Sequence, residues 1–569
     1  MYDSFFHENN INMNHLITPY GGTLVNLMAD SRRATELKTE AFGLPSIDLD
    51  HAQLCDLELL LNGGFSPLTG YLSRADYQSV IAEQRLVDGT FWPCPLVLRL
   101  SEKQAQSIAP GQRYALRDPE GFMPAVLTVV EVWPADSDGE MAALGEAPSG
   151  AICVGGTVEG VALPPRHDFL ELRLTPAELR NQFQKRGWKR VIAYQTSHVM
   201  QRMHQDFALQ ASLSRDANLL LHGIAGILPN NEVDYFSRVR ANAAALKHYP
   251  AASTLHALLP LAEAGISPRQ ICLRAIVARN HGCTHLIVGG EDAGTDSSAH
   301  RRGMDLVGDV LAESGAAMEE LGVGLVPFER MVYVEDRAQF LPEDSVPKGA
   351  RALAFPTTEL QRRLDYALEV PDWFAYADVI AEIRRAHPPR KAQGFCVFCT
   401  GLSGAGKSTI AKALQIKLLE MGGRQVTLLD GDVVRKHLSS ELGFSREHRD
   451  LNIRRIGYVA SEIVKHRGIA ICAPIAPYSA TRQDVRAMIE QYGGFFEVHV
   501  ATPIETCEAR DRKGLYAKAR AGLVKEFTGV SDPYEIPENP ELAIDTSNVG
   551  VDEAVQRILL KLEREGYLR

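Results

Sequence analysis

The chain has 569 residues, 45% hydrophobic and 23% charged, with a formal net charge of −11. That length predicts about three to four domains of ordinary globular composition. The acidic balance argues against general nucleic-acid or membrane-surface binding, and no apolar run approaches a membrane span.

Residues 1–20 carry Asn, His and Met without a period and are read as irregular. Met1-Tyr2-Asp3-Ser4 does not open a signal-peptide pattern, and the nine cysteines are scattered. Reduced thiols in a cytoplasm are therefore expected. Short β-type segments follow, such as Leu96–Leu100 and Ala125–Val130, separated by turn signals including Asp118-Pro119-Glu120-Gly121. This predicts a compact, mostly β domain with no chemistry of its own. Arg190–Tyr194 reads as a buried parallel strand, and the loop after it, Gln195 to His204, lies where doubly wound sheets place ligands. Ile380–Arg385 looks like a helix end. The prolines of Ala386-His387-Pro388-Pro389-Arg390-Lys391 stop it and mark a linker.

Beyond the linker, Phe395–Cys399 is an apolar run of strand length. Cys396-x-x-Cys399 has the spacing of a redox or metal pair. It lies inside the predicted buried strand with no second pair nearby, which favours core packing. Gly401-Leu402-Ser403-Gly404-Ala405-Gly406-Lys407-Ser408-Thr409 fits G-x-x-x-x-G-K-[ST], and a helical stripe from Ile410 to Met421 follows, stopped by Gly422-Gly423. Strand, glycine loop and helix is the context that phosphate binding needs. Backbone N–H groups close around phosphate oxygens, and the helix N-terminus adds its positive end. Lys407 would reach the β/γ-phosphates and the Ser408 hydroxyl would ligate Mg²⁺. A second buried strand, Gln425–Leu429, ends in Asp430-Gly431-Asp432, which puts two carboxylates at the mouth of the sheet. The basic series Arg435, Lys436, Arg449, Arg454 and Arg455 then suits a second anionic substrate facing ATP, against the plainer reading of a solvated helix face over Leu451–His466.

Several stretches carry a resemblance to a known family. Asn62-Gly63-Gly64-Phe65-Ser66-Pro67-Leu68-Thr69-Gly70-Tyr71, Asp88–Pro93, Leu163–Leu174 and Met331–Asp336 resemble ATP sulfurylase. The likeness runs to about Phe374. It implies a β-rich domain, a nucleotidyltransferase α/β domain and a small third domain. The family's first substrate loop resembles Q-T-R-N-P-x-H-x-x-H. Gln195, Thr196 and His204 match it. Ser197 replaces the sulfate-clamping arginine, His198 the asparagine, Val199 the proline and Gln201 the first histidine. The second loop, H-P-x-x-G-x-T-K-x-G-D in the family, is His222 to Glu232 here, without the lysine. The third, G-R-D-H-A-G, is Gly289-Gly290-Glu291-Asp292-Ala293-Gly294. The sulfurylase transition state accumulates negative charge, and one missing donor costs roughly 10²–10³ in rate. Several are missing and Asp292 adds repulsion, so an inactive or very weak site is expected. The rival is a rearranged site built from His198, Arg202 and His204. The plainer reading makes the two histidines satisfied loop residues, and a further one gives the site another nucleotide or anion.

Residues 394–569 resemble adenosine 5′-phosphosulfate kinase. The motifs are Asp430–Arg435, Leu442–Ser445, Arg449–Gly457, Asp511–Arg520 and Phe527–Glu535. The resemblance implies transfer of the ATP γ-phosphoryl to the 3′-hydroxyl of adenylyl sulfate. By position, Asp432 would orient the hydroxyl or take its proton. Asp430 would hold Mg²⁺ through water or else cap a helix. Arg435, Arg449 and Asn452 would grip the phosphosulfate, and Phe444 and Phe527 would sandwich the adenine. Ile475, Lys513 and Leu515 complete the adenylyl sulfate set, and Lys513 to Arg520 would form a lid with Lys518 as its substrate-facing cation. Two departures stand out. Ala476 occupies a position where the family often has a phosphorylatable serine, and Val433 replaces an asparagine. Some relatives pair a working sulfurylase with a kinase-like domain that has lost its phosphate loop; this chain shows the opposite pattern.

The expectation is an α/β multidomain protein. A β-rich N-terminal domain spans 1–170, a nucleotidyltransferase α/β domain 171–330, a small third domain 331–386, a linker 387–393, and a P-loop kinase with a parallel sheet 394–569. Its function is expected to be adenylylsulfate kinase with Mg²⁺, on a homo-oligomeric (dimer or hexamer) sulfurylase-like scaffold; the alternative is a true bifunctional enzyme. ATP and adenosine 5′-phosphosulfate are the expected substrates, with no nucleic-acid or membrane partner.

Overall fold

The computed structural model describes residues 15–145, 149–226, 235–262, 267–289, 297–353, 355, 357–511, 514–524 and 526–568. The chain divides into two compact units: residues 1–359 with 370–386, and residues 360–369 with 387–569.

The first unit opens with a six-stranded sheet of β1 (Ser46–Asp48), β2 (Gly70–Tyr71), β3 (Leu98–Leu100), β4 (Arg113–Arg117), β5 (Ala125–Pro134) and β6 (Ile152–Gly160). Its order is β1-β4-β5-β6-β2, with β3 also on β6. The long β5–β6 ladder is antiparallel and bulges between Val129 and Glu131. The Asn62–Tyr71 stretch fastens this sheet to the next. The Ser66 hydroxyl donates to Gly63 O (2.7 Å) and accepts from the Val25 N–H (2.8 Å). The fully buried Asn280 amide donates to Gly64 O and Ser66 O, at 2.9 and 3.0 Å. Its oxygen accepts from the Tyr20 N–H.

The second sheet has five parallel strands, β7 (Val191–Thr196), β8 (Asn218–Ile224), β9 (Thr254–Leu259), β10 (His285–Val288) and β11 (Gly324–Pro327), in the order β11-β10-β7-β8-β9. The order reverses at β7, the strand whose C-terminal end precedes the first substrate loop. The strands are almost wholly buried, which is why they read as apolar runs. β12 (Met331–Val334), β13 (Gln339–Pro342) and β14 (Ala352–Leu353) form a small antiparallel sheet.

The second unit holds five parallel strands: β15 (Phe395–Thr400), β16 (Val426–Asp430), β17 (Ile469–Ala473), β18 (Gly494–Val500) and β19 (Leu542–Ile544). Their order is β16-β17-β15-β18-β19. β15 is central and every residue of it is buried. Cys396 and Cys399 lie within it, the Cys396 sulfur 3.7 Å from that of Cys472 on β17. Burial pushes the Cys399 thiol up to about 12. These are packing thiols, and among the described residues no group of three His, Cys, Asp or Glu can hold a metal. No helix among them is long and apolar enough to cross a membrane.

Two consequences can be measured. Phe398 is fully buried with its ring 5.6 Å from that of Phe495, so Phe398→Ala is expected to destabilise the second unit by about 3–5 kcal/mol in urea unfolding. In the first unit, His222 on β8, His256 on β9 and His281 are buried, the His222 and His281 rings 4.9 Å apart. Burial lowers all three, His256 and His281 to about 4, and His281 and His256 lower His222 further. The folded chain keeps them neutral while the unfolded chain takes up protons below about 6.5. Stability therefore falls as the pH drops from about 6.5 towards 4, by up to about 1.4 kcal/mol per pH unit per histidine. His256→Gln should flatten the pH dependence of the melting temperature by one group's share.

Candidate functional site

The phosphate loop leaves the buried end of β15 and enters the helix Lys407–Met421. Gly401 has φ 146°, and a Cβ there would lie 2.6 Å from Val500 O, so only glycine fits. Gly406 caps the helix at φ 105°, again a left-handed turn. Ser408 and Thr409 are exposed on the helix's first turn, where the Thr409 N–H donates to Gly406 O at 3.1 Å. The Lys407 ammonium is buried and donates to Gly401 O (2.9 Å) and Leu402 O (2.7 Å), folded back across its own loop. Ala405 O accepts from the hydroxyls of Thr502 (3.0 Å) and Thr546 (2.9 Å), and Ser403 O from the Tyr516 hydroxyl (2.9 Å). The Arg510 guanidinium reaches the Thr546 hydroxyl at 2.7 Å and Gly404 O at 3.5 Å. These supports arrive from the chain after β18, which carries Thr502, Arg510 and Tyr516, and from Thr546 just past β19. No local motif marks them in the sequence.

The carboxylates lie at the end of β16, two strands from β15. Asp430 caps the helix Gly431–Leu438 by accepting from the Asp432 N–H (3.1 Å), and the Asp432 side chain is exposed beyond it. Arg435 donates to Leu442 O (3.0 Å) and Gly443 O (2.7 Å), and its guanidinium covers the Phe444 ring at 4.5 Å. Burial lowers the Arg435 pKa. Phe444 is 67% exposed, an aromatic face turned to solvent at a loop edge. Arg449, at the start of the helix Arg446–Lys465, donates to the Thr528 hydroxyl and to Asp532 Oδ2, both at 2.8 Å, and Asp532 also accepts from the Tyr478 hydroxyl at 2.9 Å. The buried Nε and Nη2 of Arg449 and Oδ1 of Asn452, one turn on, have no hydrogen-bond partner among the described residues. Buried polar groups in this condition carry a desolvation cost that a ligand relieves. Ile475 follows β17 and is half-buried. Leu515 and Lys518 lie on the helix Leu515–Arg520, Leu515 half-buried and Lys518 exposed. The half-buried Phe527 ring meets that of Tyr516 edge-on at 5.0 Å. Lys513 lies outside the described residues.

In the first unit, Gln195 and Thr196 are the last two residues of β7 rather than loop, and His204 lies inside the helix Arg202–Leu213. The Gln195 amide donates to Arg274 O (3.3 Å), and the Thr196 hydroxyl accepts from the His198 N–H (3.1 Å). Ser197 Oγ is 3.3 Å from His198 Nε2, and His204 Nδ1 accepts from the Gln201 N–H at 3.1 Å. Arg202 turns to another segment, donating to Asp372 O (3.0 Å) and lying 5.0 Å over the Tyr376 ring. His222 belongs to β8, with both ring nitrogens buried. A buried cation at these strand ends is one that sequence reasoning missed. Arg238 donates to Ser197 O (2.6 Å) and Ile224 O (2.5 Å), tying together the chain after β7 and the end of β8. Burial lowers it to about 10. Asp292 and the stretch 227–234 lie outside the described residues.

Comparison with known proteins matches residues 17–144 to a PUA-like domain, 170–386 to ATP-sulfurylase and 393–545 to adenylylsulphate kinase. The chain is similar to the sulfate adenylyltransferases of Phaeosphaeria nodorum (44% identity) and Chaetomium globosum (43%). Each match covers 97% of this chain and 99% of the relative. It is also similar to a solved structure described as a hexameric APS kinase from Thiobacillus denitrificans: 49% identity, TM-score 0.81, 98% of this chain and 99% of that one. The chain therefore belongs to the sulfate adenylyltransferase family in its two-part form, an ATP-sulfurylase region followed by an adenylylsulfate kinase region.

Proposed function

We infer that the C-terminal unit transfers the γ-phosphoryl of ATP to the 3′-hydroxyl of adenosine 5′-phosphosulfate. The observation that carries this is the phosphate loop, with Lys407 and Ser408 at the mouth of the same parallel sheet that presents Asp432. In the transfer the oxygen–phosphorus bond between the β- and γ-phosphates breaks and a bond from the 3′-oxygen to phosphorus forms. Little covalent help is needed, so position and charge decide the rate. Lys407 exchanges its carbonyl partners for phosphate oxygens, and loop N–H groups meet the rest. Asp432 orients the 3′-hydroxyl and accepts its proton. Arg449 and Asn452 offer their unmet polar atoms to the phosphosulfate, Arg435 holds the Phe444 loop, and Phe444 and Phe527 flank the adenine. The Leu515–Arg520 helix brings Lys518 over the site, with Leu515 and Ile475 as apolar neighbours. Because Ala476 carries no hydroxyl, transfer is direct. Ser408, exposed next to Lys407, fits a Mg²⁺ ion held mainly by phosphates and water, as this ion prefers. Bound there, Mg²⁺ neutralises charge on the transferring phosphates.

For the first region the family favours the bifunctional reading over the expected inactive one. Relatives named sulfate adenylyltransferase match 97% of the chain, and the ATP-sulfurylase family model covers residues 170–386. The inactive reading keeps specific support: Ser197 and Gln201 stand where the family has an arginine and a histidine, and the Thiobacillus denitrificans protein is described as an APS kinase. That description also supports a homo-oligomer, a hexamer among the options. The domain limits that go with these readings are 1–170, 171–330, 331–386 and 394–569, around a linker at 387–393.

With adenylyl sulfate, ATP and Mg²⁺, the protein should form ADP; Lys407→Ala should lower the rate by about 10²-fold or more and Asp432→Asn by about 10²–10⁴. Unchanged turnover in Lys407→Ala would overturn the kinase assignment. With ATP, Mg²⁺, sulfate and pyrophosphatase, the family leads us to expect sulfate-dependent pyrophosphate release. Release at least about 10²-fold slower than ADP formation, the cost of one absent donor, would establish the inactive reading instead.

A further inference from the structure

Beneath the phosphate loop lies a polar cluster that the transfer step above does not use. Arg482, on the helix Ser479–Glu490, is 3% exposed. Its Nη1 donates to Ala476 O at 2.8 Å and its Nη2 to Glu535 O at 2.9 Å. Its Nε lies 2.8 Å from Glu497 Oε1, an ion pair without hydrogen-bond alignment. The carbonyls of residues 475–477, just after β17, are all taken. Ile475 O accepts from the Thr400 hydroxyl (2.6 Å) and the Gly401 N–H (3.3 Å). Ala476 O accepts from Arg482 and from Thr400 at 3.2 Å, and Pro477 O from the Glu535 N–H at 2.8 Å. Thr400 ends β15 and Gly401 begins the phosphate loop. The Tyr534 hydroxyl lies 2.9 Å from that of Thr400, and its ring stacks on His499 at 5.7 Å.

Ala476 itself is held at φ 48°. A residue with a Cβ rarely takes this conformation, and strain of this kind persists only where the surroundings over-determine it, typically at functional sites. We propose that Arg482 is a positioning residue for the phosphoryl transfer. Through the Ala476 carbonyl it holds the 475–477 segment in its left-handed turn, and so fixes the acceptor side of the site against the root of the phosphate loop. The inference rests on the kinase reading above. Arginine suits the task because its planar fork directs donors to separated acceptors, whereas lysine offers a single point charge. The phosphate loop has its own supports at Thr502 and Thr546. Loosening Ala476 therefore disturbs the acceptor and spares the grip on ATP.

The test compares Arg482→Lys, Ala476→Gly, the double variant and Tyr534→Phe in the full chain. It measures ADP formation against adenylyl sulfate concentration, binding of a non-hydrolysable ATP analogue, and thermal unfolding. Arg482→Lys is expected to lower kcat/KM for adenylyl sulfate by at least about tenfold, with ATP-analogue affinity nearly unchanged. Adding Ala476→Gly should restore about threefold or more, because glycine takes the turn without being held. A kcat/KM within about twofold of the parent, an equal loss of ATP-analogue binding, or no recovery in the double variant would each overturn the proposal. If Arg482→Lys does not fold, Tyr534→Phe carries the test, since it leaves no buried charge unpaired. A loss of about threefold or more in kcat/KM at unchanged nucleotide affinity supports the proposal, and an unchanged kcat/KM overturns it. A parent protein that forms no ADP from adenylyl sulfate would defeat the kinase reading itself, before any variant is compared.

Discussion

Where a parallel strand ends, its last N–H and C=O groups lose their ladder partners at the same edge that must receive a ligand. At β15 the shortfall is met by the Ile475 carbonyl, which takes the Thr400 hydroxyl and the Gly401 N–H together. That junction ties the point where the chain leaves the buried sheet to the segment after β17, while the loop beyond it rests on its own supports, Thr502, Thr546 and Tyr516. The rest of the C-terminal site is laid out around it. The 475–477 segment is held by Arg482 and Glu535, the loop carbonyls by Thr502, Thr546 and Tyr516, and Asp432 by the Asp430 cap at the end of β16. Buried backbone groups must be satisfied, and here the satisfying groups come from distant parts of the unit.

The two units solve the same problem differently. Both place their candidate sites at the C-terminal ends of parallel strands, where doubly wound sheets bind ligands. In the second unit Lys407 and Arg435 also spend donors on backbone carbonyls, but Arg449 and Asn452 keep buried polar atoms without a hydrogen bond among the described residues. In the first, a buried cation at the strand ends is Arg238, and it is spent on two carbonyls, Ser197 O and Ile224 O. Arg202 points to Asp372 and Tyr376 instead. The contrast explains how a family member can keep the complete framework of both regions while the charge at one of its sites differs from the family pattern.

The sequence by itself determined the fold class, the parallel sheets and the phosphate loop. Each depends on local rules: apolar runs for strands buried on both faces, glycines where φ is left-handed, and a helical stripe from Ile410 to Met421, which the structure extends back to Lys407. It also marked Asp430 as a possible helix cap, and the Asp432 N–H is what that carboxylate accepts. Tertiary structure alone decided which partners each polar group meets. Gln195 and Thr196 read as loop but finish β7, and His204 reads as a loop residue but enters a helix, because the ladder with β8 and the packing on Phe328 outweigh local pattern. Arg238, Thr502, Thr546 and Arg482 carry no motif. They matter because folding brings them to backbone groups more than a few residues away, and spacing along a chain holds no record of that distance.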